Sequence, residues 1–488
     1  MNWKFFWLTI LLLVPSFCRA QQAAARRLDE STITTQQIDE TMAHLMQAAE
    51  VTGAQIAILN HGKIAYLKAY GVRDKEKNLP LTNDSIMSAA SISKATFAYL
   101  VMELVDQGVI DLDKPVYQYL PKALPDYPKY SDLAGDERYK RITGRMLLSH
   151  TSGFPNWRWL EDDRKLRIHF EPGSRFAYSG EGIDLLQFVI ETITNKPLQD
   201  SMEEQVFRPL GMTRTSMIWQ DRFESDHGNA YDEYGRSLDV HRWKNADAAG
   251  SMQTTAGDVA KLLVAIMQGT GLKTKSQQQM LAPQIRIFSR HEFPSLNTKT
   301  TDENNAIRLS YGLGWGLYWS PHGEVLFKEG HDDGWRNYAV GFEKEKCGLV
   351  ILTNSSNGEG IFEYALETLI KDTSTPIEWE GYTPYDKLPP RPALKQHKQV
   401  AVDGKILDLY VGRYGLNPSL VLTVRREADH LSVQENDEPK QQLMPESEVD
   451  FFSTSSDDTI TFVKDASGRV TGMTLHVDGR DVPVKKIE

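Results

Sequence analysis

The chain has 488 residues, 40% apolar and 25% charged, with a formal net charge of −11. That length exceeds one ordinary core and predicts two domains. An acidic chain without a basic block excludes nucleic acid as a partner, because phosphate contacts need clustered Lys and Arg.

Residues 1–20 stand apart. Met1–Lys4 is a short positive start, Phe5–Val14 is a continuous apolar run, and Cys18 and Ala20 put small residues at the −3 and −1 positions of a cut before Gln21. This is the layout of a secretory signal peptide. The run is about half the ~20 residues a membrane-spanning helix needs. The expectation is cleavage after Ala20, a periplasmic or secreted protein, and no transmembrane span afterwards. A retained N-terminal anchor is the alternative. Cys18 also suits a lipid-attachment reading, but the bulky Phe17 precedes it. Cleavage removes Lys4 and Arg19 and no acid, so −11 becomes −13. Only Cys347 then remains, which leaves no internal disulfide to hold the fold.

Residues 21–37 are polar and read as a loose leader, with an amphipathic helix over Ile38–Ala49. Ala54–Leu59 and Lys63–Tyr70 alternate around Asn60-His61-Gly62, a hairpin signal. Ser91–Gln107 has helical apolar spacing, and Gly108 is placed to end that helix. Leu185–Thr194 and Ala256–Met267 are the clearest helices of the stretch that follows. Strand-like runs return at Gly312–Trp319, Tyr338–Glu343 and Gly348–Thr353, and Ile361–Lys371 reads as a closing helix. Strands at both ends with helices between predict one sheet assembled from the two ends of a domain spanning 38–371. Five prolines between Pro376 and Pro392 predict an extended linker over 372–402. The short alternating segments Leu407–Tyr414, Leu420–Arg425, Leu431–Val433, Thr459–Val463 and Val470–Val477 predict a small all-β domain, barrel or sandwich, over 403–488.

The chemistry centres on Ser91-Ile92-Ser93-Lys94. Helix positions three apart share a face, so the Ser91 hydroxyl and the Lys94 amine can meet. A serine is a weak nucleophile until a base takes its proton, and burial can make a lysine that base. The backbone N–H of Ser91, at a helix start, is free to serve an oxyanion. The spacing alone is common; other strings in order make it specific. They are Leu147–Gly153, Pro172–Gly180 with Tyr178-Ser179-Gly180, Ala249–Asp258, Tyr311–Trp315, and Lys328-Glu329-Gly330 before His331–Trp335.

Together these strings resemble the serine β-lactamase and penicillin-binding-protein family, which includes class C β-lactamases, D,D-peptidases, D-aminopeptidases and related carboxylesterases. The resemblance runs from about residue 40 to 370 and Ser-x-x-Lys is one of its marks. It implies an α/β fold: a mixed antiparallel sheet flanked by helices plus an all-helical subdomain, with the barrel-like domain appended. It implies that Ser91 attacks a carbonyl and forms an acyl-enzyme on an ester, amide or peptide. Lys94 and Tyr178 share acid–base work, with the two lysines favouring the tyrosinate. Lys328 acts electrostatically. Gly330 admits the substrate, and the N–H groups of Ser91 and His331 form the oxyanion hole. No cofactor and no metal is implied.

Two positions depart from that pattern. Gly180 replaces an Asn that helps hold the substrate amide. Glu329 replaces a Thr or Ser whose hydroxyl helps receive the carboxylate of penicillins and D-Ala-ending peptides. A glutamate repels such a carboxylate, which points toward neutral or cationic esters or amides. A D,D-carboxypeptidase or β-lactamase is the alternative if Glu329 turns outward or other residues compensate, and the same departures invite a reading of another class, a binding or sensor protein on a degenerate enzyme fold. His150 fits a structural role bonding backbone around the site. Adjacent strand residues point to opposite faces, so His331-Asp332-Asp333 is a poor metal cluster. Trp157, Trp159, Trp315 and Trp335 are candidates for a cleft lining or for core, and Cys347 reads as packing.

Overall fold

The computed structural model describes residues 23–488 except 392, 394, 395, 418, 419, 436–439, 455, 457, 478 and 479. The expected signal peptide lies outside the described residues. The described part of the expected loose leader is folded. Ala23–Arg26 pairs antiparallel with Thr32–Thr34, and Leu28 and Ile33 are buried. A few apolar side chains among polar ones are enough to seat it. Helix α1 (Thr35–Ala48) begins where Thr34 and Gln37 form a reciprocal capping box, with bonds of 3.2 and 2.9 Å.

Strands β1 (Gly53–Asn60) and β2 (Lys63–Asp74) form the expected hairpin. His61 and Gly62 both have positive φ, +51° and +68°, as a two-residue I′ turn requires. Four further strands come from the far end of the domain: β3 (Gly316–Ser320), β4 (Gly323–Asp332), β5 (Trp335–Phe342) and β6 (Cys347–Thr353). Among the described residues one nine-stranded sheet runs β3-β4-β5-β6-β1-β2, extended by two-residue strands at each edge. Every pairing within this run is antiparallel.

Both faces of the sheet are covered. On β1, Ala54, Ile56 and Ile58 belong to the core under α1 and residues 361–370, while Ala57 and Leu59 face the opposite core. That second core contains helices α2 (Ile92–Asp106), α3 (Gly180–Thr194) and α4 (Ala256–Gln268). Gln55, buried between them, is fully used: it donates to the Thr82 and Ser85 carbonyls and accepts from the Ala256 N–H. Cys347 is buried in β6, and burial pushes its thiol up to about 12, so it packs as an inert side chain.

The proline-rich segment is not extended from its start. Ile377–Glu380 forms one helical turn, and Ile377, Trp379 and Tyr382 are buried in the core under α1. The C-terminal strands close into an eight-stranded antiparallel barrel with its own core, including Tyr410, Tyr414, Phe451 and Phe462. Leu407–Tyr410 is helical rather than strand. Asp403 caps the turn by accepting from the Lys405 N–H at 2.8 Å, and Leu407 and Tyr410, three apart, bury one face.

Candidate active site

Ser91 sits at the N-cap of α2, and Ala90 before it is left-handed, with φ +46°. A side chain with a Cβ enters that region at a cost of about 1–2 kcal/mol, so the surroundings must impose it. They do: Ser93 Oγ donates to the Ala90 carbonyl at 2.6 Å and accepts from the Met252 N–H at 3.0 Å, and the Ala89 N–H donates to the Met252 carbonyl at 2.8 Å.

One turn along, Lys94 Nζ donates to Ser91 Oγ at 2.9 Å and to the Ala249 carbonyl at 2.6 Å. Lys94 is buried, and burial, followed by the charge of Lys328, lowers its pKa to about 8. A minor fraction of the amine, roughly a tenth at pH 7, is therefore neutral, far more than for an ordinary lysine. Lys328, on β4, donates to the Tyr178 hydroxyl at 3.0 Å. Lys94 and Lys328 lie 5.1 and 4.9 Å from the Tyr178 ring centroid. The structure thus brings Ser91, Lys94, Tyr178 and Lys328 together. Tyr178 differs from expectation in its protonation. Burial first, then Glu329, Tyr311 and Glu292, hold the phenol well above its ordinary value, while a hydrogen bond with Ser91 pulls it down. It is a neutral phenol in the resting site rather than a tyrosinate.

His150 braces that phenol. Its ring lies 4.4 Å from the Tyr178 ring, its Nδ1 accepts from the Ser179 N–H at 3.2 Å, and its carbonyl accepts from the Ala177 N–H at 2.8 Å. Burial and the two lysines push its pKa well down, so the imidazole is neutral.

The end of β4 runs past Ser91. Beyond the Gly316–Phe327 pair, β3 no longer covers it, leaving Lys328–Asp332 as an edge. A Cβ at Gly330 would come within 2.4 Å of the Ala89 carbonyl, so only glycine allows this approach. Glu329 does not turn outward: it is buried and ion-paired with Lys328. The His331 side chain is half exposed, 3.7 Å from Glu359. At Gly180 a Cβ would meet the Trp157 ring at 2.4 Å, so the indole fills the space of the missing side chain. That ring also lies 5.6 Å from Lys94 Nζ, in cation–π range.

Ser91, Lys94, Tyr178 and Glu329 open into a cavity of about 1240 Å³. Trp157, Trp159 and Trp335 line it, whereas Trp315 is buried in the core. Barrel residues, among them Leu422, Val433, Leu443 and Ile460, contribute part of the wall.

The profile of the family described as Beta-lactamase matches residues 38–370. The chain belongs to the β-lactamase family. A second profile, described as a domain of unknown function, matches residues 396–486. The chain is 25% identical over 428 residues to a penicillin-binding protein of Bacillus subtilis (strain 168), covering 80% of this chain and 85% of that one. It is 29% identical over 211 residues to the esterase EstB of Burkholderia gladioli, 38% of this chain and 52% of that protein. The solved octameric penicillin-binding protein homologue from Pyrococcus abyssi, 21% identical, superposes with a TM-score of 0.56 over 93% of this chain and all of that one, a likeness of fold.

Within this β-lactamase-family site, several contributors carry no sequence signal. The Ala249 carbonyl that holds Lys94 is a backbone atom. Asn156 accepts from the Gly180 N–H at 3.0 Å and lines the cavity from an irregular loop. Glu292 and Glu380 line it from segments outside every family string; only their placement beside Trp379, through a 2.8 Å bond from the Glu292 N–H to the Trp379 carbonyl, reveals them.

Proposed function

We propose that the protein is an exported serine hydrolase that cleaves an ester or amide through an acyl-enzyme on Ser91. The observation that carries this reading is the buried Lys94 amine, with its pKa near 8, 2.9 Å from the Ser91 hydroxyl. In the forward step neutral Lys94 takes the proton from Ser91 as Oγ bonds to the substrate carbonyl carbon. The developing oxyanion is received by the N–H groups of Ser91 and His331, each such donor contributing a factor of about a hundred or more. Tyr178, hydrogen-bonded by Lys328, relays the proton to the leaving group, and water then releases the acyl group by the same path reversed. Gly330 lets the substrate lie along the edge of β4.

The Glu329–Lys328 ion pair supports esters and neutral or cationic amides over penicillins and D-Ala-ending peptides. Lys328 already has a carboxylate, so a substrate carboxylate finds no free counter-charge there. An intact Ser–Lys–Tyr–Lys cluster weighs against a binding protein without turnover. The layout of residues 1–20 supports export. The proposed organisation is a catalytic domain over 38–371, a connecting segment to 402 and the barrel over 403–488.

A fluorophosphonate probe should label the wild-type chain and not Ser91→Ala. Equal labelling of both removes Ser91 from this role. The same pair assayed on a panel of p-nitrophenyl esters measures turnover, and its absence throughout the panel favours the binding protein.

A further inference from the structure

Three of the carboxyl groups lining the cavity are buried: Glu292, Glu329 and Glu380. Glu329 is paired with Lys328. Glu292 is only 2% exposed, and neither of its oxygens meets a hydrogen-bond partner among the described residues. Glu380 is in a similar position: its Oε2 accepts from the Tyr338 hydroxyl at 2.9 Å, and its Oε1 has no partner. Phe293 packs edge-on against Tyr178, ring centroids 5.5 Å apart, which ties Glu292 to the reacting centre.

Folded proteins rarely bury polar atoms unpaired, because each forfeits its hydration without return. Two acids left so beside a nucleophile mark a place built for something else to complete. Both residues line the cavity, with the unpartnered oxygens buried just beneath its surface. Chelation does not explain them: among the described residues no group of three His, Cys, Asp or Glu is arranged to hold a metal ion. The charge of the cavity points one way. Its described lining holds ten Asp and Glu residues and one Lys or Arg, Lys94, and although Glu329 and Glu359 are paired with Lys328 and Arg336, its unpaired acids outnumber its bases.

We propose that Glu292 and Glu380 form a subsite for a protonated amine carried on the leaving group of the substrate. The inference rests on the acyl-enzyme reading and names its substrate class: esters of amino alcohols, their thioester analogues and amides of diamines. The side follows from Glu329, which occupies the position where penicillin-type relatives receive a carboxylate on the departing part. Here the polarity is reversed. Burial, then the charge of Glu329, holds Glu292 well above the usual carboxylate range, and Glu380 likewise, so both acids are kept protonated beside Lys328, Lys94 and Tyr178. An arriving ammonium supplies the missing counter-charge. Glu292 releases its proton to solvent and accepts the N–H of the amine.

The test uses S-acetyl-N,N-dimethylcysteamine and its neutral isostere, 3-methylbutyl thioacetate, with the released thiol measured by colour. The full chain should show at least a tenfold preference in kcat/KM for the charged thioester. That preference should fall below threefold in Glu292→Gln and in Glu380→Gln, read as the ratio whatever the absolute rates. An equal or reversed preference in wild type, or one that survives both substitutions, overturns the subsite. If neither thioester is cleaved, the acyl-enzyme reading fails instead. The subsite is then decided by calorimetric binding of the same two compounds to Ser91→Ala, where lack of preference for the charged one overturns it.

Discussion

The indole of Trp157 occupies the space that a side chain at residue 180 would need, with a Cβ there meeting the ring at 2.4 Å. The two residues form one unit: glycine is required because tryptophan is present. Gly180→Asn, which restores the usual family residue, should therefore lower stability by about 1–3 kcal/mol through overpacking. Adding Trp157→Ala to Gly180→Asn should return most of the loss. Thermal unfolding of the single and double variants checks the coupling; additive losses would break it.

The pH dependence follows from Lys94. With a pKa of about 8, the amine is protonated and idle as a base below that value and neutral above it. The rate of acylation of p-nitrophenyl acetate by the free enzyme should rise as pH increases through about 8 and then level. Lys94→Arg, which cannot shed its proton, should lose about 10²–10⁴ in kcat/KM together with that limb.

His150 should leave no mark on the same profile, because burial and two lysines keep it neutral. Its work is to position Tyr178. His150→Ala should cost roughly tenfold or more in kcat by letting the phenol drift, with the profile unchanged in shape. His150→Asn, which can still accept from the Ser179 N–H, should recover part of the rate. A limb near pH 6.5 that vanishes in either variant would show a general base instead.

Glu329→Thr tests the specificity argument. Removing the carboxylate frees the Lys328 ammonium for a substrate carboxylate. Acylation by benzylpenicillin should rise about tenfold or more, equivalent to about 1.4 kcal/mol. A labelled penicillin followed in wild type and variant measures it. No gain would mean that Glu329 does not set the polarity of the site.

Much of this was legible in the chain because it is written in local periodicity. The β1–β2 hairpin, α4 and the strands β5 and β6 follow from alternation, helical spacing and Asn60-His61-Gly62. Ser91 and Lys94 were legible because three residues apart on a helix is a contact and because the ordered strings around them singled out that Ser-x-x-Lys among many. Long-range features were less so. Whether Leu407–Tyr410 alternates as strand or packs as a helical turn depends on the Asp403 cap and on which barrel wall lies beside it. Trp379 and Tyr382 lie among prolines, and their burial is set by a core built from α1 and β5. The protonation of Tyr178 turns on its burial and then on Glu329 and Glu292, which meet it only after folding.

The barrel strands that wall part of the cavity follow the catalytic-domain residues in the chain. Ser91, Tyr178 and Lys328 all precede them, so a chain cut by a protease between Lys387 and Val400 would keep its reacting groups and lose their roof. Such a nicked product would trade selectivity for access, taking bulkier esters and releasing its acyl group to bulk water sooner. The connecting segment is thus a point at which a cut would separate part of the cavity wall from the Ser91, Lys94, Tyr178 and Lys328 cluster without touching any of those four residues.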